Sequence, residues 1–497
     1  MAPKRVRTVE GSCWPCKDRR VLCDLQRPRC FRCATEGRPC SYGKVRLRWC
    51  NGVAARGRFA GQTLPILDVD DHKERRKRDT GEDNFSSALL SLRPSDSLVS
   101  ASAVTAEELM LYFEHEVVDR FNLSPGRIQV DLLSVYKDPA LRQSVTAVAN
   151  AHHLLYLRQS PHDAVLAKKK ARLEAIQLFR KQLLAHDPPR TTSPSAFDLF
   201  VTNVLLCILD GVIDPDDEGA ATYWHFRGGR AILSQWRLQE QLFQQKRGLP
   251  ALMLSVFATM DLTYALLSGQ DPYFHRSTWA SFARSQGWWG TLPAGDPFLE
   301  LMAILSRLAH LGHLIYATGQ LPSGSEVQAL LATLRGHDVV EEEEHPHSAI
   351  SSSILSPSLM TALGTAEPLD RDQSWTVFCS AYRLTGLVYI YRVLFGLDVK
   401  HPIVQQATAL GVQAICGVRL TGKLSHCLLF PTLVIGSHCQ RPEQQKAIRA
   451  TLGSTAAFLY FGSLRIMESF LEGVWERGAA IDWWECFDDI SRKTFLF

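Results

Sequence analysis

From Thr105 almost to the end of the chain, apolar residues recur at the three- and four-residue spacing of helices with one buried face. Thr105-Ala106-Glu107-Glu108 reads as a capping box, with Leu109, Tyr112, Phe113, Val117 and Phe121 forming the stripe behind it. Asp138 stands as an N-cap before Pro139, and Leu141, Val145, Val148 and His152 follow at helical spacing. Lys168 to Leu184 alternates cationic and apolar residues in the same period, while Phe197–Leu209 and Met302–Leu314 read as nearly buried helices. Further helices are predicted at Trp375–Leu394, Gln405–Arg419, Pro442–Phe461 and Gly462–Trp475. Strand-like alternation is scarce, so the expected fold of 105–497 is one large all-α body. Poorly ordered loops are expected near Pro322 to Ser325 and at Glu341 to Ser358. The most apolar run, Phe197 to Ile213, is interrupted by Asp198, Thr202, Asn203 and Asp210, and reads as too short and too polar to cross a bilayer.

The first hundred residues follow a different pattern. Residues 1–12 are a basic arm, 13–40 a cysteine-rich cassette, and 41–104 a linker that is basic at first and then Ser-rich. A chain of 497 residues exceeds one ordinary core, which agrees with this division. The net charge of +4 conceals an asymmetry: residues 1–60 hold 15 lysines and arginines against 4 acidic residues, and the remainder is mildly acidic. A basic head on an acidic body points to a polyanionic partner. No apolar core segment follows the first residues, as a secretory signal would require. Seven of the 13 cysteines fall in the first fifty residues. In an intracellular chain that crowding indicates metal rather than disulfides.

The cassette runs Cys13-x2-Cys16-x6-Cys23-x6-Cys30-x2-Cys33-x6-Cys40, two tandem copies of one half-motif. Two residues between cysteines let both thiolates reach one ion while opening a helix. Tetrahedral zinc takes four ligands, so six sulfurs serve two ions only when two of them bridge. The pseudo-symmetric choice is the first cysteine of each half, Cys13 and Cys30. No coordination position is then left open, so the two Zn²⁺ are structural, and a segment of this size depends on them to fold. No histidine lies within the cassette, which excludes RING and C₂H₂ arrangements.

These residues resemble the Zn₂Cys₆ binuclear cluster of fungal transcription factors of the galactose-regulator type. The resemblance implies a sequence-specific regulator of RNA polymerase II genes, with no enzymatic activity, whose first cluster helix enters the major groove and reads a CGG-like triplet. Carried over onto Cys16-Lys17-Asp18-Arg19-Arg20-Val21-Leu22-Cys23, it assigns Arg19 and Arg20 to base reading and Lys17 to a phosphate. An arginine fork also matches the O6 and N7 of guanine chemically. Pro28 corresponds to the proline that turns the chain between the halves. Asp18 and Leu22 depart from the family's usual basic residues and reduce the phosphate contacts. The basic-aromatic stretch from Tyr42 to Gly61 is similar to the extension of acriflavine-sensitivity-control-type members, and Cys50 within it breaks the half-motif rhythm.

The body resembles the fungus-specific transcription factor domain through three segments. These are Trp224-His225-Phe226-Arg227-Gly228-Gly229-Arg230-Ala231, then Phe430-Pro431 through Gly436 to Cys439, and Phe470 to Trp475 with Trp483-Trp484. Such a body is expected to regulate activity, bind effectors or partners, or help dimerisation. The expected partners are double-stranded DNA, with a second copy of the chain or transcriptional coregulators beside it, and no membrane. A nuclear location is expected, with Lys73, Arg75, Arg76, Lys77 and Arg78 as candidates for the import signal. No heptad repeat appears in 80–104. Regulators of this type serve metabolic or drug-response genes, and no residue here selects between them. Two alternatives carry less. Asp70-Asp71-His72-Lys73-Glu74 has the acidic spacing of a diphosphate-binding box but abuts a cationic run before the helical body begins. The pairs His426-Cys427 and His438-Cys439 diverge on a helix and read as core, and His152-His153, adjacent rather than at i, i+4, reads as core or surface.

Overall fold

Helices of the body begin where the sequence supplies a cap. Thr105 and Glu108 satisfy each other's backbone amides, at 2.8 and 3.2 Å, and open helix Ala106–Tyr112. The Asp138 carboxylate accepts the Leu141 amide at 2.8 Å ahead of helix Pro139–Leu157. Asp296 does the same for Phe298 at 2.9 Å, at the start of helix Pro297–Thr318. The computed structural model describes residues 12–19, 21–26, 29–37, 40, 104–124, 126–157, 162–185, 194–215, 220–336, 371–417, 420, 423–478 and 482–496. They fall into two units, Met1–Ser102 and Ala103–Phe497. In the first, the described elements are the short helices Trp14–Arg19 and Phe31–Thr35.

Among its described residues, the second unit is all-α apart from a small antiparallel hairpin, Gln286–Gly287 with Gly290–Thr291. Helix Gly248–Ser268 is buried along almost its whole length and packs against Pro194–Ile208, Pro297–Thr318 and Trp483–Lys493. A helix apolar on all sides belongs in the middle of a body. Its internal polar groups are satisfied locally, since Ser255 and Thr259 accept the Trp288 backbone and indole N–H at 3.0 and 2.9 Å. Helix Arg371–Tyr389 forms the second centre, against Pro297–Thr318, Pro402–Val412 and Leu429–Ser437.

Two expectations need correction. Pro322 to Ser325 is not a poorly ordered loop: Ser323 precedes helix Gly324–Arg335, whose Val327, Leu330, Leu331 and Leu334 are buried. The apolar run that ends at Ile213 does not fail as a membrane span by length or composition. Ala196–Ile213, Gly248–Ser268 and Pro297–Thr318 are all long and apolar enough, but the first two are 89% and 94% buried within the body. Burial by protein on every side, rather than shortness, explains their composition. The loop expected at Glu341 to Ser358 lies outside the described residues, as do most of the basic arm and the linker.

Helix Pro194–Ile208 runs on into a π-helical turn, Leu209–Ile213. Such a turn releases carbonyls from the helical ladder. Here the Gly211 carbonyl accepts the Phe495 amide at 2.9 Å and the Thr494 hydroxyl at 2.6 Å, and the Ile213 carbonyl accepts Gly462 N–H at 2.9 Å. The C-terminal segment is thereby tied to the middle of the chain.

Gly229 sits against Phe257, which is itself packed by Phe200, Phe226 and Phe274. A Cβ there would stand 2.6 Å from the Phe257 ring and 2.8 Å from the Asn203 amide nitrogen. Gly229→Ala is therefore expected to destabilise the body by about 1–3 kcal/mol, read as a lower urea midpoint at unchanged slope. Burial pulls the His152 imidazole down to about 4, although its hydrogen bond to the Leu459 carbonyl works the other way. The unfolded chain then takes up a proton near pH 6.5 that the folded one refuses, so this stability is present above that pH and lost as it falls toward 4. His152→Gln does not titrate, and its unfolding free energy should gain on the wild type by on the order of 3 kcal/mol between pH 7.5 and 4.

Candidate metal centre and nucleic-acid interface

The N-terminal unit has sulfur where a domain of ordinary size has hydrocarbon. Its buried cluster is Cys13, Cys16, Cys23, Cys30 and Cys33, with Val21 and Cys40 packed against it. Each C-x2-C pair lies at the start of a helix: Cys16 within Trp14–Arg19, and Cys30 as the N-cap of Phe31–Thr35. The Cys30 sulfur accepts the Cys33 amide at 3.4 Å, and the Cys40 sulfur accepts the Cys30 amide at 3.4 Å. Asp24 takes the Phe31 amide at 3.0 Å, which fixes the chain between the two halves.

The sulfurs gather in two sets of four, each within 4.8 Å: Cys13, Cys16, Cys23, Cys30, and Cys13, Cys30, Cys33, Cys40. Cys13 and Cys30 are common to both. They stand 3.6 Å apart, with Cys13–Cys33 and Cys16–Cys30 each at 3.7 Å. A zinc–sulfur bond of about 2.3 Å gives a tetrahedral edge of about 3.8 Å, so these separations fit. The 4.0 Å approach of Cys16 to Cys33 crosses between the sets. All six cysteines are free of disulfides.

The electrostatics follow from the crowding. Burial pushes the Cys13 thiol far above the ordinary thiol range and the Cys33 thiol up to about 12. Burial alone would also raise Cys30, but hydrogen bonds from the Cys33 amide and the neighbouring thiols bring it down to about 6. Sulfurs this close do not all ionise unaided, and a divalent ion supplies the missing positive charge. The donor set, its burial and its spacing fit two zinc ions.

Arg19, one of the two expected base readers, lies at the end of the first helix. Its Nε donates to the Pro15 carbonyl at 3.2 Å, and its guanidinium pairs with Glu36 beyond the second helix. The tie spans the two half-motifs. Arg32 stands 3.9 Å from the same carboxylate. Arg29 and Arg32 are exposed basic residues beside the cluster to which the sequence reading assigned no role, and the charge of the 1–60 segment is the signal that includes them. The Lys17 backbone belongs to helix Trp14–Arg19, while its side chain, Arg20, Pro28, Cys50 and the import candidates Lys73, Arg75, Arg76, Lys77 and Arg78 lie outside the described residues.

In the body, the second and third resembling segments meet through packing, and the first packs on the C-terminal Phe495. Trp475 Nε1 donates to the Gly436 carbonyl at 2.8 Å, the Trp483 ring lies 5.7 Å from that of His438, and Phe226 packs on Phe495 at 5.1 Å. His225 Nε2 stands 3.3 Å from Asp210, which also pairs with Arg172 at 2.9 Å, a buried charge cluster that periodicity does not reveal. His426 is half-buried and stacks on Phe458, while Cys427, His438 and Cys439 are buried, His438 bonding the Val434 carbonyl at 2.7 Å. His152 is likewise buried, between the Tyr112 hydroxyl and the Leu459 carbonyl.

Residues 11–50 match the Fungal Zn(2)-Cys(6) binuclear cluster domain, and residues 108–497 match the Fungal specific transcription factor domain. Both are transcription factor domains rather than enzymes. The chain is also 44% identical over 45 residues to Arginine metabolism regulation protein II of Saccharomyces cerevisiae, covering 9% of this chain and 5% of that protein. No solved structure matches it. The first match brings with it two zinc ions per chain, and the second spans most of the sequence, so the chain belongs to the family of fungal Zn₂Cys₆ transcription factors that carry the fungal specific transcription factor domain.

Proposed function

We propose that this chain is a nuclear, sequence-specific regulator whose helix Trp14–Arg19 reads a CGG-like triplet in the major groove. The observation that carries this reading is the pair of four-sulfur sets sharing Cys13 and Cys30 at the base of that helix. Cys13, Cys16, Cys23 and Cys30 would hold one zinc, and Cys13, Cys30, Cys33 and Cys40 the other. The ions would lock the two half-motifs together and neutralise the buried thiolates. Arg19 and Arg20 would face guanines, with Lys17 on a phosphate and the basic arm and linker along the backbone beyond the triplet. Arg19 would exchange Glu36 for the base. Lys73, Arg75, Arg76, Lys77 and Arg78 would direct nuclear import. The body, 105–497, would receive a signal, bind a second copy of the chain, or recruit coregulators, for metabolic or drug-response genes.

The metal part is tested on the full chain by duplex binding in fluorescence anisotropy, alongside zinc content. Chelation should abolish specific binding, and restored zinc should return it. Cys13→Ser or Cys30→Ser should release both thiolate-bound zincs, whereas Cys40→Ser should weaken one site first. Unchanged binding after complete chelation would defeat the reading. The contact assignment is tested on a panel of triplets. Arg19→Ala and Arg20→Ala should flatten the preference among them, and Lys17→Ala should weaken every sequence alike and lower the salt slope. An equal loss on all triplets for Arg19→Ala would confine Arg19 to its tie with Glu36.

A further inference from the structure

Apart from the cysteine cluster, one other group of metal-ligating side chains converges among the described residues. Asp271 lies in the loop after helix Gly248–Ser268, His275 precedes the 3₁₀ helix Arg276–Phe282, and His310 belongs to helix Pro297–Thr318. One donor atom from each lies within 4.8 Å of the others. His310 Nδ1 is 2.7 Å from Asp271 Oδ1, and the His275 and His310 rings stand edge to face with centroids 6.1 Å apart. Both histidines line a cleft of about 810 Å³, whose wall includes Arg276, Glu300 and the Arg307–Glu326 ion pair.

The loop that carries Asp271 is held from both sides. The buried Asp261 carboxylate accepts the Tyr273 and Phe274 amides at 2.7 and 3.2 Å. From the His310 helix, Ser306 donates to the Phe274 carbonyl at 2.7 Å, and His313 Nδ1 donates to the Gly269 carbonyl at 2.9 Å. Asp271 and His275 are thus fixed relative to His310 by bonds that do not involve their own side chains. A supporting shell of this kind is what a metal site needs. An ordinary surface ion pair would account for Asp271 and His310 and leave the approach of His275 without a role.

We propose that Asp271, His275 and His310 bind a divalent transition-metal ion, such as Zn²⁺, beside this cleft. Two imidazoles and one carboxylate suit zinc, cobalt or nickel better than magnesium or calcium, which prefer oxygen throughout. Three protein ligands leave coordination open, so a small molecule entering the cleft could complete the ion's shell. The body would then hold a metal site separate in chemistry from the two cluster zincs.

Cobalt titration of the purified full chain tests this, because thiolate ligands give intense sulfur-to-cobalt charge transfer and nitrogen and oxygen ligands do not. Three cobalt ions should bind per chain, the third adding only weak ligand-field bands. His275→Ala and His310→Ala should each weaken that third ion at least tenfold while leaving the two thiolate-bound ions in place. His275 is exposed, so its variant should fold as the wild type does, checked by circular dichroism. Saturation at two ions, a third ion with thiolate bands, or a third ion indifferent to both substitutions would overturn the proposal.

Discussion

Mutual repulsion among buried sulfurs is the constraint on which the N-terminal unit rests. Five cysteines almost or wholly hidden from water, with Val21 as their apolar neighbour, do not make a core that folds by hydrophobic burial. Thiols at 3.6 to 3.7 Å cannot all become thiolates without a cation between them. Two zincs resolve both difficulties at once, replacing a missing core and balancing the charge. The direction of helix Trp14–Arg19 then follows from coordination rather than from side-chain packing.

Spacing made this centre legible. Ligand count, half-motif symmetry and the bridging pair all follow from where six cysteines fall, and the structure gathers the same sulfurs in two overlapping sets. Helix positions in the body were legible too, because caps such as Thr105 and Asp138 are local chemistry. Long-range events were not. The π-turn at Leu209–Ile213, which hands its carbonyls to Thr494, Phe495 and Gly462, depends on partners hundreds of residues away. Asp271, His275 and His310 likewise come from a loop, a cap and a helix, with no repeat to announce them.

The body illustrates why resemblance in such a domain says more about architecture than about ligand. Phe257 leaves no room for a Cβ at Gly229 in the first resembling segment, and the Trp475 indole in the third closes on the Gly436 carbonyl. Those positions keep helices in register. The 810 Å³ cleft, whose lining mixes histidine, arginine and glutamate, involves none of these positions.

Charge divides the labour along the chain. The basic first sixty residues suit a polyanionic partner, for which a mildly acidic body does not compete. The Arg19–Glu36 tie refines this. In the free chain Glu36 holds the guanidinium proposed to face DNA, and the pair is partly open to water, where screening keeps it weak. On the proposed reading, a duplex would offer Arg19 a fixed guanine edge and at the same time repel Glu36 through its phosphates. That exchange would favour sites where a guanine stands ready to replace the carboxylate, and a carboxylate inside the cluster would then contribute to sequence discrimination.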